Sequence, residues 1–311
     1  MGLKSIEICA GAGGQALGLE QAGFDHIALV EIERSACETL RINRPLWNVI
    51  ESDVHSFSAY GYKGKVDLLA GGVPCPPFSV AGKQLGADDE RDLFPEALRL
   101  VVECEPRAVM IENVRGIFCP KFNDYREQIL NRLHEMGYET WWQLAQASDY
   151  GVSQLRPRAV LVGIRQPWAS RFVWPTPHPG EAPTVGELLL ESMSSNGWEG
   201  AGEWASHANG IAPTLVGGSK KHGGADLGPT RARNAWAQLG VDGSGIVDEA
   251  PAAGFDGLPR LTVGMAALVQ GFPSNWKFSG RKTAAYRQVG NAFPPPVAKA
   301  IGGSIREALN A

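Results

Sequence analysis

The feature that most constrains the fold is a regular alternation of short apolar runs with helical patterns along residues 5–165. Such an alternation is typical of βαβ units, in which helices connect the strands of a parallel sheet. Two further apolar runs, 140–147 and 158–164, are joined by a connection too short for a crossover helix, which favours an antiparallel hairpin at the sheet edge. The sequence therefore predicts an α/β fold with a mostly parallel sheet. The other predicted strands lie at 5–9, 26–30, 49–51, 66–70 and 108–111.

Beyond residue 167 the composition changes. Prolines and glycines replace the rhythm of strands and helices over most of 168–257, and helical spacing returns only towards the C-terminus. We therefore predict two domains. The larger domain comprises 1–167 and 283–311, and the smaller one, an irregular and β-rich domain, comprises 168–282.

Composition excludes several classes of protein. The chain has 311 residues, of which 44% are hydrophobic and 20% charged, and no apolar run is long enough to span a bilayer or to form a signal peptide. The five cysteines include no C-x-x-C pair and the six histidines have no metal-ligand spacing, so we expect neither a disulfide framework nor a metal site. A net charge of −4 argues against non-specific coating of nucleic acid but allows a local basic surface. We expect a cytoplasmic protein without a membrane partner.

Glycines and acidic residues follow the first three predicted strands. Gly11, Gly13 and Gly14 form a turn in which a ligand can approach the backbone at a helix N-terminus. Glu31 ends the second strand, some twenty residues later, where a carboxylate can accept hydrogen bonds from ribose hydroxyls. Asp53 follows the third strand and could accept from an adenine amino group. Taken singly, these residues fit a surface carboxylate or a turn cap equally well, but together they favour a cofactor that contains adenosine.

Two chemical groups follow the next two strands. Cys75 lies between Pro74 and Pro76, and the fixed φ of proline predicts a stiff loop at a strand end, where a cysteine can act as a nucleophile. The alternative is a structural cysteine in a proline-rich turn. Glu112 ends the strand at 108–111 and would bring a carboxylate to a neighbouring strand end.

A third group alternates along the predicted edge hairpin. Gln154, Arg156 and Arg158 share one face of an extended segment, because side chains two residues apart in a strand point the same way. Shared arginines predict an anionic or electron-rich target. A solvated edge strand protected by charge is the competing interpretation.

The order of five motifs resembles the C5 cytosine DNA methyltransferase family. The motifs are the glycine turn, Pro74-Cys75, Glu112-Asn113-Val114, Gln154-x-Arg156-x-Arg158 and Gln288-Val289-Gly290-Asn291. The resemblance covers the chain except 168–258, where that family has a variable target-recognition part. It implies a Rossmann-like S-adenosylmethionine-dependent methyltransferase fold and a DNA (cytosine-5-)-methyltransferase of restriction-modification or host DNA modification. The implied cofactor is S-adenosyl-L-methionine, with S-adenosyl-L-homocysteine as product. The implied partners are double-stranded DNA and a cognate restriction endonuclease, and we expect a monomer.

The resemblance also implies roles for the chemical groups. The thiolate of Cys75 would add to carbon 6 of a cytosine, which makes carbon 5 nucleophilic enough to take a methyl group. Glu112 would donate to N3, for which burial should keep it protonated. Arg156 and Arg158 would hold the carbonyl of the base or a phosphate, while Gln154 supports their loop. Since carbon 6 is inaccessible in a duplex, the cytosine must be flipped out.

The remaining implied contacts fall into two sets. The cofactor set comprises Cys9, Gly11, Gly13, Gly14, Glu31, Ile32, Asp53, Val54, Pro74 and Asn291. The DNA set comprises Ser79, Gln84, Arg91, Gln154, Thr214, Lys220, Lys221, Arg231 and Arg233. The chain has Cys9 and Ile32 where many members of the family have aromatic residues, so we expect an aliphatic adenine pocket. A tRNA cytosine-5 methyltransferase and a catalytically silent DNA-binding regulator are the alternatives.

Overall fold

The computed structural model describes residues 2–73, 92–217 and 224–310. The chain divides into two compact units. Unit 1 consists of Met1–Ala145, Pro157–Thr176 and Val297–Ala311, and unit 2 consists of Gln146–Arg156 and Pro177–Pro296. Unit 2 therefore includes two segments, 146–156 and 283–296, that the sequence analysis assigns to the larger domain.

Unit 1 is built on a single sheet. Among the described residues seven strands form it, in the order β3-β2-β1-β4-β5-β8-β6. The strands of the chain are β1 Leu3–Ile8, β2 Phe24–Glu31, β3 Val49–Glu51, β4 Leu68–Gly72, β5 Ala108–Val114, β6 Tyr138–Gln146, β7 Gln154–Leu155, β8 Pro157–Arg165 and β9 Ala212–Pro213. The pairs β1–β2, β1–β4, β2–β3 and β4–β5 are parallel, and β8 pairs antiparallel with β5. The prediction of a mostly parallel sheet with an antiparallel edge is confirmed.

Helices connect the strands and continue through unit 2. Those of unit 1 are α1 Gly14–Gln21, α2 Arg34–Asn43, α3 Phe94–Cys104, α4 Asn123–Glu135 and, from Val297 onwards, α10 Pro295–Asn310. Those of unit 2 are α5 Val185–Ser194, α6 Ala201–His207, α7 Thr230–Gln238, α8 Val263–Val269 and α9 Lys282–Asn291. Over the described ranges, no helix combines the length and the apolar character that crossing a membrane requires.

The central strands are apolar because the sheet buries both their faces. In β4 the side chains of Leu68, Leu69 and Ala70 are fully buried, as expected for a strand inside a parallel sheet that helices cover on both sides. The next residue, Gly71, lies opposite Ile8 of β1. A Cβ atom at Gly71 would lie 2.6 Å from a side-chain carbon of Ile8, so glycine permits the close approach of β1 and β4.

Unit 2 differs from its predicted β-rich character. Its described residues have only the two-residue strands β7 and β9, which pair parallel, and a few isolated bridges, beside five short helices. Two of these helices begin with a capping box, at Thr184 with Glu187 and at Thr262 with Met265. Thr184-x-x-Glu187 is a start signal for a helix that can be recognised in the sequence. The expectation of a β-rich smaller domain is corrected, because its described residues form mainly short helices.

A buried carboxyl, that of Glu7, lies one residue before the end of β1. Glu7 is 1% exposed, and its Oε2 atom has no hydrogen-bond partner among the described residues. Burial, reinforced by the nearby charge of Glu31, raises the pKa of Glu7 well above its ordinary value, and a hydrogen bond from the backbone of Ala16 opposes the rise. In the native state Glu7 therefore favours its neutral form.

We predict that Glu7→Gln stabilises the protein progressively as the pH rises. The unfolded carboxyl loses its proton near its ordinary pKa of 4.5, whereas the folded one loses it only at higher pH, so wild-type stability falls across this interval. The glutamine keeps a neutral acceptor for Ala16 and has no such penalty. Urea unfolding from about pH 5 to pH 8 should show an advantage of about 1 kcal/mol or more at the upper end. The exposed Glu307→Gln is the matched control, and parallel pH profiles for both variants would contradict the prediction.

Candidate active site

The turn after β1 has an unusual backbone. Cys9, Gly11 and Gly13 all have positive φ, at 53°, 53° and 83°. A side chain is strained in this region, so glycine suits two of the three positions. A Cβ atom placed at Gly11 would meet no described atom within 4 Å. No described residue therefore crowds the turn at Gly11, and α1 begins close by at Gly14.

Glu31 joins this turn to the end of β2. Its two carboxylate oxygens accept from the backbone N–H groups of Gly11 and Glu33, each at 2.7 Å. Burial raises the pKa of Glu31, and these hydrogen bonds oppose the rise. The structure thus brings together the glycine turn and the acidic residue that the sequence analysis linked to a ribose.

The ends of β2 and β3 present one apolar and one acidic side chain. Ile32 is 59% exposed. The carboxylate of Asp53 accepts from the backbone N–H of His55 at 2.9 Å, and Nδ1 of the His55 ring lies 2.7 Å from the same oxygen. These hydrogen bonds lower the pKa of the Asp53 carboxyl. Asp53 therefore caps the turn at Val54–Ser56, the alternative that the sequence left open. Burial raises the pKa of the Cys9 thiol and keeps it neutral. An exposed aliphatic group, a neutral thiol and two carboxylates fit an adenosine moiety.

Glu112 forms an ion pair with Arg158 inside unit 1. The Nε atom of Arg158 lies 2.8 Å from Oε1 of Glu112, and both side chains are largely buried. Glu112 lies opposite Val160 in the β5–β8 ladder, so Arg158, two residues along β8, is its diagonal neighbour on the same face. Burial lowers the pKa of Arg158, and Glu112 opposes this effect. The contact thus places a guanidinium against the carboxyl that the resemblance implies as the donor to N3.

The register of the sheet places Glu112 beside the end of β4. Gly72 pairs with Glu112 across the parallel strands, and a Cβ atom at Gly72 would lie 3.2 Å from Oε2 of that carboxyl. The chain continues from Gly72 to Val73, the last described residue before the Pro-Cys motif. A carboxylate and an arginine therefore lie at the strand end that leads to Cys75.

Asn113 is a site residue for which the sequence analysis gave no role. Its side-chain amide donates to the carbonyl of Val73 at 3.4 Å, and its side-chain oxygen accepts from the backbone N–H of Val114 at 2.8 Å. Asn113 is buried. It thereby connects the end of β5 to the residue that precedes Pro74. Its position in the Glu112-Asn113-Val114 motif was the sequence signal that could have identified Asn113.

Gln154 and Arg156 belong to unit 2, and both are fully buried. Arg156 donates to the carbonyl oxygens of Leu215, Gly290 and Ala292, at 2.8, 2.8 and 3.0 Å. The structure thus gives Arg156 a partner set distinct from that of Arg158, which belongs to unit 1. Direct contacts of Gln154 and Arg156 with a substrate stay predictions.

The other predicted site residues fall into two groups. Thr214 donates through its hydroxyl to the carbonyl of Leu155 at 2.5 Å, Asn291 ends α9, and α7 carries the exposed Arg231 and Arg233. Seven candidates lie outside the described residues, namely Pro74, Cys75, Ser79, Gln84, Arg91, Lys220 and Lys221.

We predict strong coupling between Glu112 and Arg158. Removal of either partner leaves the other buried without its counter-charge, which typically costs about 3–5 kcal/mol. A double-mutant cycle with Glu112→Gln and Arg158→Met, measured by urea unfolding, should give a coupling energy of about 1–3 kcal/mol. The exposed pair of Arg132 and Glu135, 3.1 Å apart, is the control and should give well under about 1 kcal/mol. Equal coupling energies in the two cycles would contradict the prediction that burial strengthens the Glu112–Arg158 interaction.

Comparisons with known proteins identify the family. The family model described as C-5 cytosine-specific DNA methylase matches residues 3–307. The chain is 59% identical to the Type II methyltransferase M.NaeI of Lentzea aerocolonigenes over 99% of its own length and 76% of that protein. It is 56% identical to the Type II methyltransferase M.NgoMIV of Neisseria gonorrhoeae over 99% of both chains. A crystal structure of a Spodoptera frugiperda DNMT2 mutant shares the fold, with a TM-score of 0.66 at 15% identity and coverage of 97% and 99%. The chain belongs to the C-5 cytosine-specific DNA methylase family.

Proposed function

We propose that this enzyme is a DNA (cytosine-5-)-methyltransferase that modifies a cytosine in a short duplex site as part of a restriction-modification system. The observation that carries the proposal is the Glu112–Arg158 pair at the strand end that leads to Cys75. Addition to a cytosine ring requires a nucleophile, for which Cys75 is the candidate, together with a hydrogen-bonding carboxyl and an arginine. The Type II methyltransferases at 56–59% identity support this reading.

The proposed chemistry starts at Cys75. Its thiolate forms a bond to carbon 6 of the cytosine, and the electron pair of the 5,6 double bond makes carbon 5 nucleophilic. Glu112 and Arg158 act on the polar edge of the ring, where addition develops negative charge. In this proposal the protonated carboxyl of Glu112 donates to N3, and the Nε atom of Arg158 lies 2.8 Å from Oε1 of the same carboxyl. After methylation, loss of the carbon 5 proton and cleavage of the bond between sulfur and carbon 6 regenerate the thiolate.

The cofactor residues fit S-adenosyl-L-methionine, which supplies the methyl group when bound. Glu31 is proposed to hold the ribose hydroxyls and Asp53 the adenine amino group. Ile32 and Cys9 would cover the adenine with aliphatic and thiol surface in place of aromatic rings. Gly11 and Gly13 leave the backbone of the turn accessible, and Val54, Pro74, Gly14 and Asn291 complete the proposed set.

The proposed DNA contacts lie mainly in unit 2. Arg231 and Arg233 on α7 are exposed and suit phosphate contacts. Thr214, Lys220, Lys221, Ser79, Gln84 and Arg91 are the further candidates. We propose duplex DNA and a cognate restriction endonuclease as partners, a monomer as the active form and the bacterial cytosol as its location, since the bacterial relatives are Type II methyltransferases.

DNA that contains 5-fluorocytosine tests the proposed chemistry. Fluorine cannot leave as a proton does, so the bond between Cys75 and carbon 6 should persist when S-adenosylmethionine is present. We predict an adduct that survives denaturation, detected by gel electrophoresis and mass spectrometry. Cys75→Ser should abolish it, while Glu112→Gln should slow its formation by about 10²–10⁴-fold.

Cys119→Ser is the matched control for this experiment. Cys119 is a free and exposed cysteine, and its substitution should leave the adduct intact. An adduct on tRNA and none on DNA would favour the alternative substrate. Binding of DNA and cofactor without an adduct on either nucleic acid would favour the silent regulator and refute the proposal.

Glu31→Gln tests the cofactor site. The neutral amide loses the charge-assisted bonds expected with ribose and changes the acceptor of Gly11, so we expect the Kd of S-adenosylmethionine to rise about 10- to 100-fold. Isothermal titration calorimetry measures the change. Glu51→Gln makes the same chemical change at the end of β3, where Glu51 contacts Arg41, and should leave the affinity within about threefold. If the two variants bound S-adenosylmethionine with equal affinity, the proposed contact of Glu31 with the cofactor would be wrong.

A further inference from the structure

A second buried glutamine completes the polar cluster of unit 2 that contains Gln154 and Arg156. Gln270 is fully buried one residue after α8. Its side-chain oxygen accepts from Nε2 of Gln154 at 2.8 Å, and its own Nε2 donates to the carbonyl of Ala292. Gln154, Arg156 and Gln270, the Q-R-Q cluster, therefore connect three separate parts of unit 2.

The cluster fixes the backbone of the segment 214–217. Gln154 Oε1 accepts from the backbone N–H of Leu215 at 2.9 Å, and Arg156 donates to the carbonyl of the same residue at 2.8 Å. Both hydrogen-bonding groups of Leu215 are thus held by buried side chains. Immediately before it, Thr214 donates to the carbonyl of Leu155, so the segment is also held from β7.

The same cluster holds the end of α9. Arg156 donates to the carbonyls of Gly290 and Ala292, and Gln270 donates to the latter. The backbone of the segment 214–217 also contacts the backbone of α9 directly. A Cβ atom at Gly290 would lie 2.4 Å from the backbone nitrogen of Gly217, and one at Gly217 would lie 2.5 Å from the carbonyl oxygen of Arg287. The segment 214–217 therefore has little freedom to shift against α9.

We infer that Gln270 is a positioning residue for target recognition: its amide, through Gln154 and together with Arg156, holds the segment 214–217 in one conformation against α9. This inference rests on the proposed function, in which Thr214 contacts DNA. The amide both accepts and donates, and a leucine of similar size can do neither. Gln270→Leu leaves the amide of Gln154 without one acceptor and the carbonyl of Ala292 without one buried donor.

The expected result is a loss of discrimination with little loss of chemistry. In Gln270→Leu, the ratio of kcat/KM on the cognate site to that on sites with one changed base pair should fall about tenfold. The KM for DNA should rise, whereas the single-turnover rate at saturating DNA should stay within about threefold of wild type. The cognate site is first read from a random duplex library methylated by the wild-type enzyme and sequenced for 5-methylcytosine.

Trp204→Phe is the control for general loss of stability. It also removes one buried donor to a backbone carbonyl of unit 2, that of Gly240 at 2.9 Å, but leaves the Q-R-Q cluster intact. Hydrogen exchange at the Leu215 amide should accelerate in Gln270→Leu and not in Trp204→Phe. Unchanged discrimination and exchange in Gln270→Leu, or equal changes in both variants, would overturn the inference. If the wild type methylates no DNA, the proposed function fails, and exchange at Leu215 alone decides whether the cluster holds the segment.

Discussion

The site depends above all on the parallel pairing of β4 with β5. This ladder puts Gly72 next to Glu112, so the hydrogen bonds that build the sheet also determine where the carboxyl meets the chain that leads to Cys75. The antiparallel β8 then delivers Arg158 diagonally to the same carboxyl. A one-residue slip in either ladder would turn one partner to the opposite face of the sheet. Glu112 and Arg158 are thus positioned by the buried backbone of the sheet.

Much of unit 1 could be predicted from the sequence, because its signals are local. Apolar runs bounded by glycines gave the strands to within a few residues, and the short link between 140–147 and 158–164 gave the antiparallel edge. The glycine turn and Glu31, twenty positions apart, lie together because a parallel βαβ unit brings successive strand ends to one edge. Glu112 followed from the same reasoning.

Other features depend on contacts that no local pattern reveals. Alternation of Gln154, Arg156 and Arg158 predicts a shared face, but the backbone carbonyls to which Arg156 donates lie 59 to 136 residues away in sequence. Among the described helices of unit 2, α8 lies where helical spacing returns towards the C-terminus, whereas the others are so short that their hydrophobic periods span too few turns to identify. The ion pair of Glu112 with Arg158 likewise joins two residues that periodicity does not connect.

The discontinuous path of unit 2 has a consequence for making chimaeras. A graft that exchanged only the contiguous segment 177–296 would separate Leu215, Gly290 and Ala292 from their native partner Arg156, which unit 2 takes from its other segment, 146–156. A donor protein would have to supply both segments together. The polar contacts inside unit 2 therefore depend on two separate stretches of the gene at once.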